Sequence, residues 1–264
     1  MLQTTDLTIR FGGHVAVNAV SCRFEPGTLT AIVGPNGAGK TTYFNLISGQ
    51  LKASAGTVSL NGRDLSGLGV SARTRAGLGR AFQLTNLFPR LTVLENVRLA
   101  VQASADGGHR RGLNLWSIWS DHAALTRRAH EILVTVAMAP KQHSLVANLP
   151  HGDQRKLEVA LLMALDPQVY MFDEPTAGMS TAEAPVILDL IRGLKSDKTK
   201  TILLVEHKMD VVRELADRII VLHNGALVAD GEPAAVIASP VVQEAYLGVA
   251  PQSASAAGQP RETA

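Results

Sequence analysis

Cysteine is almost missing from this chain: Cys22 stands alone among 264 residues, so no internal disulfide can form. That excludes a disulfide scaffold and suits a reducing compartment, with Cys22 expected to pack as a small apolar residue. No apolar run reaches the roughly 18 residues that a membrane-spanning helix needs. The opening "MLQTTDLTIR" lacks the basic segment and apolar stretch of a signal peptide. The expected place is the cytosol, with any membrane role exerted through a partner. An excess of one charge is also absent, the net being +2. Arg73, Arg75, Arg80, Arg90, Arg98, Arg110, Arg111, Arg127 and Arg128 are thinly spread rather than gathered into a basic patch. They read as a solvated surface, and no nucleic-acid partner is expected.

The composition is that of a folded protein, with 46% apolar and 18% charged residues. The length suits one large α/β domain or a core with an insert, since single cores stop growing at roughly 250 to 300 residues. "LQTTDLTIRF" and "HVAVNAVSCRFEPG" alternate apolar and polar residues, which predicts a hairpin closed at Gly12 and Gly13. "TLTAIV" is a near-continuous apolar strand, and "KTTYFNLISGQ" is a helix that Gly49 can end. "TVSLNG" predicts a further strand with an Asn-Gly turn. From about residue 91 to 165 helical patterns replace strands, which predicts a helical insert. "QVYMFDEP", "TKTILLVEH", "RIIVLH" and "ALVADG" then read as strands, with helices at "TAEAPVILDLIRGLK" and "KMDVVRELA". This alternation predicts a mostly parallel sheet covered on both faces. Residues 251–264 have almost no large apolar group and are expected to be a disordered tail beyond a domain of residues 1–250.

"GPNGAGKTT" places Gly34, Gly39, Lys40 and Thr41 at phosphate-loop spacing between an apolar strand and a helix, the context that pattern requires. The N–H groups of residues 37–42 can form a concave nest at a helix N-terminus. Lys40 can reach the β- and γ-phosphates, and the Thr41 hydroxyl can serve Mg²⁺. Asn36, Gly37, Ala38, Gly39, Lys40, Thr41 and Thr42 are the expected nucleotide contacts. At the end of an apolar strand, Asp173 can hold Mg²⁺ through its bound water and Glu174 can act as general base. Asp-Glu-Pro can also be a helix-start signal. No Asn-Lys-x-Asp guanine-reading motif is present, which speaks against a GTPase.

With "AFQLTNLFPRLTVLENV", "LPHGDQRKLEVALLMALDPQVYMFDEPTAGMS" and "LLVEHKMDVV" following that loop in order, residues 1 to about 248 resemble the ATP-binding cassette (ABC) ATPases. The resemblance implies a phosphate-loop α/β fold with an N-terminal antiparallel β subdomain and an inserted helical subdomain. It implies ATP and Mg²⁺ as ligands. It places Phe11 where an aromatic ring stacks on adenine, although a lone strand-end phenylalanine is more often core. Gln83 matches the glutamine that senses Mg²⁺ and the attacking water, and His207 the histidine that contacts the γ-phosphate.

The family's signature, Leu-Ser-Gly-Gly-Gln, corresponds to Leu149, Pro150, His151, Gly152 and Asp153. In the family this segment opens a helix that closes over the γ-phosphate held by another subunit. Leu149, His151, Gly152 and Asp153 are therefore implied contacts, whereas Pro150 has neither hydroxyl nor N–H to replace the serine. Ser180 stands where an aspartate usually reports across the dimer, which puts the equality of the two ATP sites in question. "HGDQRKLE", the insert with "LNLWSIWSDHAALTRRAHEIL", "AGMS" and "VVQEAYLG" together look like importer cassettes for branched-chain amino acids and related small polar solutes. Cassettes for urea or short amides are similar, and soluble non-transport ABC ATPases are a remoter alternative. The implied partners are a second cassette, different from this chain or a copy of it, two membrane permease subunits, and indirectly an extracytoplasmic binding protein. The implied place is the cytoplasmic face of the plasma membrane, as a peripheral subunit.

Overall fold

The strands sort into two sheets, and burial separates them. In a computed structural model describing residues 1–81, 87–105, 122–180 and 183–247, β1 (Leu2–Phe11) and β2 (His14–Phe24) mix buried with exposed positions. β3 (Leu29–Val33) is buried at every residue. A strand buried on both faces needs no polar alternation, which is why the apolar run at β3 marks the central sheet.

β1 and β2 form the expected hairpin, pairing Phe11 with His14 across Gly12 and Gly13. β4 (Ala55–Leu60) pairs with β1, and β5 (Arg63–Asp64) completes an antiparallel sheet in the order β2-β1-β4-β5. The Asn61-Gly62 turn between β4 and β5 has φ of 50° and 79°. Asparagine and glycine tolerate that left-handed geometry best, so the Asn-Gly signal holds.

The second sheet has the order β10-β9-β3-β8-β7-β6. It contains β6 (Leu78–Ala81), β7 (Val169–Asp173), β8 (Thr201–Val205), β9 (Arg218–His223) and β10 (Ala226–Gly231). β9, β3, β8, β7 and β6 run parallel, and β10 is an antiparallel edge. The mostly parallel sheet is therefore as expected, with one strand that the sequence pattern did not reveal. β6 reads Leu-Gly-Arg-Ala, with neither an apolar run nor alternation.

Helix α1 (Lys40–Ser48) ends at Gly49, which has φ 82°. The short α2 (Val70–Arg75) was not anticipated from the sequence, and its Arg73 corrects the surface reading. Arg73 is 3% exposed. Its Nη1 donates to the carbonyls of Leu46 and Ile47 at 2.7 Å each, its Nε to Leu68 at 2.9 Å and its Nη2 to Ser66 at 3.2 Å. The last carbonyls of α1 have no partner within the helix, and this guanidinium supplies one.

Between residues 91 and 165 lie α3 (Val93–Ala105), α4 (His122–Thr135) and α5 (His151–Leu165). They share a core that includes Val93, Val97, Ile132, Leu133 and Leu157. Thr92 and Glu95 start α3 as a capping box: the Thr92 N–H donates to Glu95 Oε2 at 2.7 Å, and the Glu95 N–H to Thr92 Oγ1 at 3.2 Å. Helix α6 (Ala184–Leu194) carries Pro185 in its first turn, where proline is tolerated. α7 (Met209–Leu215), α8 (Pro233–Ala238) and α9 (Pro240–Leu247) complete the α-helices among the described residues. Cys22 is buried and unpaired, and burial raises its thiol pKa. The expected tail, residues 251–264, lies outside the described residues.

Replacing Arg73 with Ala strands the Leu46 and Ile47 carbonyls of α1 and those of Ser66 and Leu68 before α2, and should lower unfolding free energy by about 3 kcal/mol. Urea unfolding checks this, and a loss below about 0.5 kcal/mol would show that water replaces the guanidinium at little cost.

Candidate functional site

Parallel strands deliver their following loops to one edge of the sheet. β8 lies between β3 and β7, so the segments after β3, β7 and β8 are neighbours. These segments hold the glycine-rich loop, Asp173 with Glu174, and His207.

The loop leaves β3 through Gly34, with φ 152°, where a Cβ would lie 2.2 Å from the Leu222 carbonyl oxygen. It enters α1 through Gly39, with φ 97°, where a Cβ would lie 2.5 Å from the Ala16 carbonyl oxygen. Both glycines are thus demanded by conformation and by space. The loop is anchored from below, since the Gly225 N–H donates to Ala38 at 3.1 Å and the Asn18 N–H to Gly225 at 2.8 Å. Asn36, Gly37 and Thr41 are exposed, and Thr42 is half-buried. Gly39 caps α1 without a side-chain acceptor and no acid lies in the first turn, so the positive end of the helix dipole is left for an anion.

Lys40 is 7% exposed, and its Nζ donates to the carbonyls of Gly34 at 2.6 Å and Pro35 at 3.0 Å. Burial pushes its pKa down, and the Glu174 and Asp173 carboxylates offset this only in part, leaving it below the usual lysine value. The ammonium is held inside the loop where phosphate oxygens can replace carbonyl oxygens as its acceptors.

Asp173 ends β7 with a side chain 9% exposed, its Oδ2 accepting from Arg80 Nη2 at 2.7 Å. Arg80 comes from β6, and its Nη1 also reaches Asn45 Oδ1, Ser48 Oγ and Gln50 Oε1 at 2.7, 2.9 and 2.9 Å. Its guanidinium carbon lies 4.8 Å from the Phe44 ring centre. Arg80 is the second arginine wrongly read as solvated surface: it links the Asp173 carboxylate to the end of α1. The Thr41 hydroxyl and the Asp173 carboxylate are hard oxygen donors of the kind Mg²⁺ prefers, so the residues present fit that ion.

Glu174 has φ 49°, a left-handed conformation that costs a β-carbon residue energy. Its N–H donates to the Val205 carbonyl at 2.9 Å, and its own carbonyl accepts from Ala177 at 3.0 Å. Its Oε1 lies 3.7 Å from His207 Nδ1, both side chains being substantially exposed. The two residues singled out for chemistry thus face each other. No helix starts directly at Asp-Glu-Pro; residues 174–177 form a turn and α6 begins at Ala184.

Phe11, at the tip of the first hairpin, is 51% exposed and is not a core residue. Gln83 lies outside the described residues. The signature group opens α5, which packs on α3, α4, β6 and α6. Leu149 is buried and His151 exposed, and Pro150 is the helix N-cap with no side-chain hydrogen bond. Asp153 pairs with Lys141 and with Lys156, the latter at 3.4 Å. Burial raises its pKa, and the two lysines more than offset this and leave it below the usual value.

Gly152 meets a group that motif reading did not anticipate. A Cβ there would lie 2.3 Å from Glu183 Oε1. The other oxygen, Oε2, accepts from the Ser180 N–H at 3.2 Å and from its hydroxyl at 2.8 Å. Those hydrogen bonds hold the Glu183 carboxyl below its usual pKa. Glu183, the residue before α6, reaches back to Ser180 as the glutamate of a capping box does, and the Ser-x-x-Glu spacing was the available signal.

Arg80→Met leaves the nearly buried Asp173 carboxylate unpaired and should destabilise the fold by about 3 kcal/mol. Adding Asp173→Asn should recover more than about 1 kcal/mol in a double-mutant cycle, whereas additive losses would show the pair to be uncoupled.

Comparison with known proteins extends this geometry to a family. A family model described as ABC transporter matches residues 17–177. The high-affinity branched-chain amino acid transport ATP-binding protein LivG of Escherichia coli is 37% identical over 251 residues, spanning 95% of this chain and 98% of LivG. BraF of Pseudomonas aeruginosa, described in the same terms, is 36% identical and spans 95% of this chain and 98% of its own length. Among solved structures, the ADP conformation of an ATP-binding cassette of an ABC transporter superposes with TM-score 0.78 at 28% identity, covering 94% of this chain and 99% of that one. A dimeric, post-hydrolysis cassette with ADP and phosphate superposes with TM-score 0.73 at 25% identity, covering 88% and 99%. Among the described residues no helix is long and apolar enough to cross a membrane. A nucleotide loop at the edge of a parallel sheet, matched along nearly the whole length of its relatives, places this chain in the ABC transporter family as an ATP-binding, ATP-hydrolysing subunit.

Proposed function

We propose that this chain supplies the energy for uptake of branched-chain amino acids, or of closely related small polar solutes, as one of two cassettes beneath a pair of membrane permease subunits. The observation that carries the reading is the meeting of Lys40, Asp173, Glu174 and His207 at one sheet edge, in a chain that matches LivG over 98% of LivG's length. Residues 1–250 act as a single ATPase domain with a helical subdomain at about 91–165.

Phe11, exposed at the hairpin tip, stacks on adenine. The N–H groups of residues 37–42 cradle the phosphates, with Asn36, Ala38 and Thr42 shaping the loop around them. Lys40 turns from the Gly34 and Pro35 carbonyls to the β- and γ-phosphate oxygens. Thr41 and Asp173 would hold Mg²⁺, together with Gln83; bound there, the ion neutralises charge on the β- and γ-phosphates. Glu174 takes a proton from water as its oxygen attacks the γ-phosphorus, and the bond to the β–γ bridging oxygen breaks to release ADP. His207 donates to the γ-phosphate and orients the group being transferred.

Leu149, His151, Gly152 and Asp153 complete the ATP site of the opposing cassette, Asp153 through the lysine pairs that set the start of α5. The partner is best satisfied by a different cassette, because Pro150 and Ser180 make this chain's signature and crossing turn unlike the family's usual ones. ATP binds the closed pair more tightly than the open one, and that difference drives the permease. An extracytoplasmic binding protein delivers the solute, and the cassette works at the cytoplasmic face of the plasma membrane.

The test is ATP-driven uptake by vesicles containing the assembled complex. Labelled leucine, isoleucine or valine should accumulate, and urea should not. Glu174→Gln should bind ATP normally while losing at least about a hundredfold in turnover and all uptake. Accumulation of urea without branched-chain amino acids would overturn the substrate reading, and brisk hydrolysis by Glu174→Gln would overturn the assignment of the base.

A further inference from the structure

A third carboxylate sits beside the proposed chemistry without a part in it. Glu206 directly follows β8 and is 1% exposed. A carboxylate buried to that extent is costly unless its lone pairs are satisfied. Here they are satisfied by groups from both catalytic segments. Oε2 accepts from two successive backbone N–H groups, His207 at 2.9 Å and Lys208 at 3.2 Å. Oε1 accepts from Thr176 Oγ1 at 2.9 Å. Thr176 is itself 1% exposed, and Lys208 Nζ reaches its hydroxyl at 3.4 Å.

One side chain therefore joins the turn that carries Glu174 to the loop that carries His207. It runs beside the backbone bond from the Glu174 N–H to the Val205 carbonyl at 2.9 Å. Two connections suppress a hinge that one alone would allow. The need for such bracing is visible at Glu174, whose φ of 49° persists only where the surroundings over-determine it. His207 Nδ1 lies 3.7 Å from Glu174 Oε1 and 3.8 Å from Glu206 Oε2, so the ring sits between the proposed base and the carboxylate that holds its own backbone.

We propose that Glu206 is a positioning residue for ATP hydrolysis, clamping Thr176 to the N–H groups of residues 207 and 208 and thereby setting the separation of Glu174 and His207. The inference rests on the roles of Glu174 and His207 proposed above. It concerns geometry rather than charge, which makes it separable by substitution. Glutamine can accept both N–H groups on its carbonyl oxygen and donate its amide to Thr176 Oγ1, preserving the clamp. Alanine removes it.

The experiment measures steady-state ATP hydrolysis by the assembled complex, with ATP affinity and melting temperature determined for each variant. Glu206→Ala should lower kcat about a hundredfold while leaving KM and ATP affinity within about threefold, the pattern of lost alignment rather than lost binding. Glu206→Gln should restore at least about tenfold of that loss, and Thr176→Val, which cuts one arm of the clamp, should lower kcat by about tenfold. Thr176→Val reads the proposal independently if Glu206→Ala does not fold. Three results would overturn the clamp: Glu206→Ala or Thr176→Val within about threefold of the parent kcat, a loss in Glu206→Ala that glutamine does not repair, or a rise in KM with kcat unchanged. Glu174→Gln is run alongside. If it is inactive while Glu206→Ala is active, the clamp alone fails; if it stays active, the base assignment falls and takes the clamp's purpose with it.

Discussion

The in-register pairing of β8 between β3 and β7 is the constraint on which the site depends. Val205 is the partner of Ile32 on one side and of Asp173 on the other. The three strands therefore end at one level, and the loop from Gly34, the Asp173–Glu174 pair and the Glu206–His207 pair emerge side by side. A slip of one residue in either pairing would turn β8's side chains to the opposite face and carry Glu206 out of reach of Thr176. The apolar side chains of β3 and β8, buried on both faces, make such a slip expensive, so packing in the sheet interior secures the proposed site at its edge.

Much of this was legible because the relevant signals are local. An apolar strand followed by a glycine-rich turn and a helix declares its purpose within about twenty residues, and Asn61-Gly62 declares a hairpin within two. What escaped depends on partners distant in the chain. Arg73 and Arg80 looked like ordinary surface charges because their acceptors, the end of α1 and Asp173, lie far away in sequence. β6 escaped because Gly79 is required by contact rather than by pattern: a Cβ there would lie 2.4 Å from Leu162 and 2.6 Å from Pro167. Glu206, at the end of an apolar run, differed from a solvated strand-end acid only through Thr176, which is equally anonymous in sequence.

The buried charges near the nucleotide edge form short chains rather than isolated pairs. Arg80 joins Asp173 to Asn45, Ser48 and Gln50, and Glu206 joins Thr176 to two backbone N–H groups. In a poorly solvated setting, a satisfied network of this kind gives rigidity, and a broken one is heavily penalised. The same logic extends to the signature. Ser180 is hydrogen-bonded to Glu183, whose carboxylate packs close to Gly152, so position 180 and the start of α5 are neighbours rather than unrelated points.

Lys40 carries a consequence for affinity. Its ammonium bridges the Gly34 and Pro35 carbonyls, so the loop is folded around a cation. The entropy of ordering the loop is spent during folding and need not be spent again on binding. In the role proposed for Lys40, nucleotide capture is an exchange of neutral oxygen acceptors for anionic ones, and its strength is the difference between the two. In that role a ligand without negative charge gains nothing from the exchange, so selection for phosphate would begin in the loop's own contacts.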